Sequence, residues 1–196
     1  MNRSVPRFGS YNRQVRTSTL LRAEEFARVA DVLGPCELVK GEIVRMSPGG
    51  VRHSQVTLRA AFLLESHNRA HRLGNVLTGE AGFVVRREPD TVRGADVAFV
   101  SFQRLPKDAP VAGFLDVPPE LIVEVLGNDI SWAAMEEKIA EYHEAGVDLV
   151  WVLDPRTLTL GAYPRGASPV LLRDTDTVSA DPYVPGFSCR VAEFFE

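Results

Sequence analysis

Apolar residues recur along the chain at two different periods, and the switches between them divide it into elements. "STLLRAEEFARVADVLG" (residues 18–34) places Leu20, Leu21, Phe26, Val29 and Val32 at helical intervals and stops at Gly34, which predicts one helix. "CELVKGEIVRMSP" follows as two short β-type runs around Lys40-Gly41, the pattern of a tight hairpin. "HSQVTLRAAFLLESHNRAHRLG" is the longest helical stretch, with Val56, Ala60, Leu63 and Leu64 as its apolar stripe and Gly74 at its end. Two strands are expected in "GNVLTGEAGFVVRREPD" and "VRGADVAFVSFQ", then a Pro-containing loop leading to "PPELIVEVLGND". A second helix is predicted over "SWAAMEEKIAEYHEAGV". Two strands about Asp154-Pro155-Arg156, a mixed strand and turn segment and a short helix at "VAEFF" complete the chain. The order α-β-β-α-β-β-β-α-β-β predicts a mixed central β-sheet flanked by helices, in an α/β or α+β arrangement.

One position breaks the pattern. Leu121, Ile122, Val123, Val125 and Leu126 form a run expected to be buried on both faces, and Glu124 stands in its middle. An ionised carboxylate in an apolar interior is unstable unless it is paired, bound to a metal or facing a cleft. Alternation puts Glu124 on one side with Ile122 and Leu126, and Val123 and Val125 on the other.

Composition narrows the class. The 196 residues are 45% hydrophobic and 24% charged, which suits one soluble globular domain with a modest tail. No apolar run approaches a membrane span, and "MNRSVPRFGSYNRQ" lacks the apolar centre of a secretory signal. Cys36 and Cys189 are far apart without metal-ligand spacing, as in a cytoplasmic protein. The net charge of −4 argues against a protein that coats nucleic acid by bulk charge. Arg3, Arg7, Arg13, Arg16 and Arg22 nevertheless precede the first acid, Glu24, so residues 1–18 are expected to form a basic tail ahead of a single domain over 19–196.

Two further side chains complete a candidate site. Asp96 heads "VAFVSF" on the strand before the one that carries Glu124, so pairing would bring the two carboxylates together. Such hard oxygen donors suit Mg²⁺, which keeps several waters. On the helix over "AAMEEKIAEYHEAG", residues placed at 100° intervals gather Met135, Ile139, Tyr142 and Gly146 on one face. Lys138 falls inside that apolar arc, away from Glu136, Glu137, Glu141 and Glu144. Asp96, Glu124 and Lys138 together supply two metal-binding oxygens and a cation, a set suited to metal-assisted phosphodiester hydrolysis. A structural salt-bridge triad has the same spacing. Taking the amine as unpaired, Lys138→Ala is expected to leave folding intact.

"ELVKGEIVRMSP" followed by His53, then "ADVAFV", "ELIVEVLGND", "KIAEYHEAGVDLVWVLDP" and "VPGFSCRVAEFF", resembles in order and spacing the Uma family of the PD-(D/E)XK nuclease superfamily. That resemblance implies a restriction-endonuclease-like α/β fold and a Mg²⁺-dependent DNA endonuclease, with Mn²⁺ as a substitute ion, working as a homodimer. By the same likeness Asp96 matches the Asp of the PD element, Glu124 the acid of (D/E)XK, and Lys138 a lysine moved onto the helix. The backbone carbonyl of Val125 would help hold the metal, Glu42, His53 and Tyr142 would support the site, and Arg52 and Arg59 would position DNA. Ala95 stands where the family has Pro, and "GND" replaces a Ser-Pro-Ser type stretch. The alternative from another class is a non-catalytic module that binds nucleic acid or protein on the same fold; a hydrolase of small phosphoesters would need a deep closed pocket.

Overall fold

The structure is a computed structural model that describes residues 20–110, 112–127 and 131–196. The basic tail expected over residues 1–18, and Asn128 and Asp129 of the "GND" stretch, lie outside the described residues. Helices α1 (Ala23–Ala27) and α2 (Ala30–Leu33) come first. The one helix expected over 18–34 is thus broken at Arg28-Val29. Ala23 and Phe26 pack against Leu38 and Val92, whereas Val32 is 85% exposed. Short helices persist only where packing supports them, and the second half of this stretch has little surface to pack on.

Strands β1 (Cys36–Val39) and β2 (Glu42–Arg45) form the expected hairpin, with Val39 opposite Glu42. Its two linking residues, Lys40 and Gly41, both have left-handed φ values of 52° and 80°, as a two-residue turn matched to strand twist requires. Helix α3 (Val51–His71) follows, and the antiparallel pair β3 (Gly74–Arg86) and β4 (Thr91–Ser101) comes after it. Next are β5 (Leu121–Val125), α4 (Trp132–Ala145), β6 (Leu149–Asp154), β7 (Thr159–Pro164) and β8 (Val170–Arg173). A separate ribbon of β9 (Thr177–Ser179) and β10 (Ser188–Arg190) precedes a 3-10 turn over Val191–Phe194.

Eight strands make one mixed sheet in the order β2-β1-β4-β5-β6-β7-β8, with β3 on β4 off this path. Among the described strand pairs β5 and β6 alone are parallel, and α4 is the crossover between them. Each face carries a helix. On one, Val56, Ala60 and Leu64 of α3 pack against Val97, Phe99, Val123 and Trp151. On the other, Met135, Ile139 and Tyr142 of α4 pack against Ala98, Ile122, Val150 and Val152. β5 therefore meets apolar side chains on both sides, as its sequence predicts.

The sheet forks at β4. β3 lines one edge of β4 from Ser101 back to Thr91. The other edge is shared: β1 meets it at Val92, and β5 pairs with it from Val97 to Phe99. Residues 93–96 lie between those two strands, in the crotch of the fork.

Gly74 does not end α3, which stops at Arg72 in the left-handed conformation (φ 57°). Gly74 instead opens β3 against the backbone of β4, where an added Cβ would lie 2.2 Å from the Val100 carbonyl oxygen and 2.7 Å from Ser101 Cα. Backbone cannot swing aside as a side chain can. Gly74→Ala is expected to destabilise the fold by about 2 kcal/mol or more, read as a Tm lower by roughly 4–8 °C in a chain of this length.

Candidate functional site

The fork leaves strand hydrogen-bonding groups without a strand to meet them, and charged side chains take their place. The Gly94 N–H donates to Glu37 Oε1 at 3.1 Å, and the Gly94 carbonyl accepts from Lys138 Nζ at 3.0 Å. Lys138 Nζ also lies 3.1 Å from Glu124 Oε2, 3.0 Å from Glu124 Oε1 and 3.4 Å from Glu37 Oε1. The Tyr142 hydroxyl donates to Glu124 Oε1 at 2.5 Å, while its ring stacks on Phe83. Glu124 is 2% exposed and Lys138 8%. Burial, reinforced by Asp96, pushes the Glu124 carboxyl up to about 7 against the opposing pull of the Lys138 ammonium and the Tyr142 hydroxyl. Burial would discharge the Lys138 ammonium, but Glu124 and Glu37 outweigh it and hold its pKa above the usual lysine value.

The placing of Lys138 follows from local sequence. α4 starts where the Ser131 hydroxyl accepts from the Ala134 N–H and stops at left-handed Gly146 (φ 100°). Between those caps the apolar arc through Met135, Ile139 and Tyr142 must face the sheet, and Lys138 rides inward with it.

Asp96 sits at the fork mouth, 6% exposed. Its Oδ2 accepts from the Val125 N–H at 2.8 Å and lies 3.3 Å from His53 Nε2 at the start of α3. That contact to Asp96 raises the His53 pKa against a smaller effect of burial. No hydrogen bond among the described residues reaches Asp96 Oδ1. The register explains why the carboxylate turns here. Thr78 pairs with Val97 but Ala81 with Ala95, so Gly79 and Glu80 stand opposite the single Asp96 in a β-bulge.

Asp96, Glu124, Val125, Lys138, His53 and Tyr142 are thus gathered at one point. Glu42 is not. It lies exposed on β2, and no hydrogen bond or ion pair among the described residues ties it to the others. Glu37, on the neighbouring strand, takes the position Glu42 was expected to hold. Arg93 bridges Glu37 and Glu141, at 2.7 Å to each. Lys138 and Arg93 lower the Glu37 pKa in spite of burial. Glu37 carries the signal that singled out Glu124, an acid inside the apolar run "CELV", and the same reasoning would have found it. Glu80 was also missed; Gly79 inside a strand pattern hints at a bulge, but only the register with β4 sets Glu80 opposite Asp96. Of the two arginines expected to position DNA, Arg52 donates to the Phe195 carbonyl at 2.7 Å and fastens α3 to the C-terminal turn. Arg59 lines a surface groove beside Gln55, Leu58 and Phe62.

The donor set fits a hard divalent cation. No group of three or more His, Cys, Asp or Glu side chains among the described residues forms a metal cage. An ion between Asp96 and Glu124 would therefore draw its other ligands from water and a backbone carbonyl such as that of Val125, the mixture that Mg²⁺ favours.

Lys138 is paired, which overturns the sequence-based expectation that its removal leaves folding untouched. Without it Glu124 is a buried carboxylate beside Asp96 and Glu37 with no cation in contact. Lys138→Ala is expected to destabilise the protein by about 3 kcal/mol, measured by urea unfolding.

None of the curated proteins compared with the chain matches it. Among solved structures, a "putative nuclease belonging to DUF820" from Anabaena variabilis is similar in fold, with a TM-score of 0.77 at 16% identity, covering 89% of this chain and 97% of that one. The fold is restriction-endonuclease-like, as the resemblance implied. A family model described as "Putative restriction endonuclease" matches residues 23–192, and on that match the chain belongs to the Uma2 family.

Proposed function

We propose that this protein is a Mg²⁺-dependent endonuclease that hydrolyses phosphodiester bonds in DNA, with Asp96 and Glu124 as metal ligands. Family and fold support a nuclease, and nucleases of this fold generally use divalent metals. The observation that carries the finer reading is the meeting of the three predicted residues: Val125, next to Glu124, donates its N–H to Asp96, and Lys138 binds Glu124. A bound divalent ion would supply charge neutralisation at the phosphate and a water acidified enough to attack at neutral pH.

The chain's own groups do the rest. Lys138 and Tyr142 fix both oxygens of Glu124 and favour its ionised form, working against burial. The Val125 N–H and His53 hold Asp96 through Oδ2, which leaves Oδ1 without a hydrogen bond among the described residues. His53 would sit beside an incoming phosphate as a hydrogen-bond donor. On the family's pattern the working form is a cytoplasmic homodimer in which residues 19–196 are one nuclease domain behind a basic tail. No described helix is long and apolar enough to cross a membrane.

One observation favours the rival, a nuclease fold kept for binding alone: Lys138 is already held by the Gly94 carbonyl, Glu124 and Glu37. Cleavage separates the two. Purified protein is expected to nick supercoiled plasmid with Mg²⁺ or Mn²⁺ and not with EDTA. Asp96→Ala and Glu124→Ala are each expected to slow nicking by at least about 100-fold. Plasmid binding without metal-dependent nicking would select the rival.

A further inference from the structure

We propose that Glu80 is a catalytic residue that accepts the proton of the attacking water. The proposal rests on the nuclease reading above and adds to it a group that neither motif nor spacing assigns.

The backbone at this point is unusual. Gly79 and Glu80 both have left-handed φ values, 82° and 59°. Glycine adopts that region freely, but a glutamate there is strained, and such strain persists where surrounding structure imposes it, often at a functional position. Here the bulge imposes it, setting two residues of β3 against Asp96 alone. The Glu80 carboxylate consequently lies over Gly94, where an added Cβ would be 2.8 Å from Glu80 Oε2. Gly94 is the residue whose N–H and carbonyl are held by Glu37 and Lys138. Glu80 thus reaches the fork from the β3 side, opposite to Glu37.

Availability distinguishes it from its neighbours. A group that takes a proton from water must be an acceptor that water can reach. Both oxygens of Glu124 are engaged by Tyr142 and Lys138. Glu37 is engaged by Arg93, Gly94 and Lys138. Lys138 is a donor, already held by Gly94 and Glu124. Glu80 is exposed to solvent, and among the described residues no hydrogen bond or ion pair involves it.

The water oxygen bonds to phosphorus while its proton passes to the Glu80 carboxylate. The bond from phosphorus to the leaving sugar oxygen breaks with its electron pair on that oxygen, which takes a proton from solvent. Glu80 then returns its own proton to solvent.

Glu80→Gln and Glu80→Asn separate this role from a structural one, because asparagine tolerates the left-handed conformation better than glutamate. Both variants are expected to lose about 100-fold in single-turnover cleavage of duplex DNA. Mn²⁺ affinity, read by electron paramagnetic resonance of the protein without DNA, should stay within about threefold, and the Tm of Glu80→Asn should be unchanged or higher. Wild-type rates in both variants would overturn the proposal and leave the nuclease reading standing. A lost Mn²⁺ signal would make Glu80 a metal ligand instead, and a lower Tm in Glu80→Asn would make it structural; either overturns the proposal. A wild-type protein that does not cleave would remove the nuclease reading and this role with it.

Discussion

The cost of leaving a strand edge unpaired inside a protein governs this structure. β1 and β5 both need the same edge of β4, and they part at residues 93–96. A buried peptide group without a partner is destabilising, so the crotch must be filled by donors and acceptors from side chains. Glu37 and Lys138 meet the Gly94 backbone, and Asp96 meets the Val125 N–H. Once those charges are buried they must neutralise one another, which brings in Arg93, Glu124 and Glu141. The gap in the sheet and the charged cluster have one cause.

Much of this was legible in sequence because it follows from periodicity. The Lys40-Gly41 hairpin, the stripe on α3 and the inward lysine on α4 are each fixed by spacing alone, and each stands where expected. The failures are where spacing does not decide. Val29 and Val32 have helical intervals but no surface to pack on, so the first helix breaks. Glu42 and Glu37 both sit in one hairpin, and although its apolar neighbours mark Glu37, the fork it enters is created by pairing with β4. The bulge at Gly79-Glu80 depends on the register between β3 and β4, which one-strand alternation does not contain.

The lysine illustrates how burial changes a chemical role. Read from sequence, Lys138 was a free cation beside two carboxylates, able to act on water or phosphate. With acceptors at Gly94, Glu124 and Glu37, it fills the fork and favours the charged form of Glu124 against burial. To reach a phosphate it would have to give up one of them. The contact to Glu37 is the longest, at 3.4 Å, and Glu37 would keep Arg93 if it were released. That exchange leaves every buried charge with a partner.

The cluster accordingly separates into two layers with different physics. The inner layer of Arg93, Glu37, Lys138, Glu124 and Tyr142 is tied together by hydrogen bonds and ion pairs, and it orients what lies above it. Asp96, Glu80 and His53 form the outer layer, where Asp96 Oδ1 and the Glu80 carboxylate have no hydrogen bond among the described residues. Chemistry requires groups that can exchange partners, and geometry requires groups that do not. In this fold the inner layer holds Asp96 and Glu124 at fixed positions, so that the reactive groups at the mouth can change their contacts while the sheet beneath keeps its register.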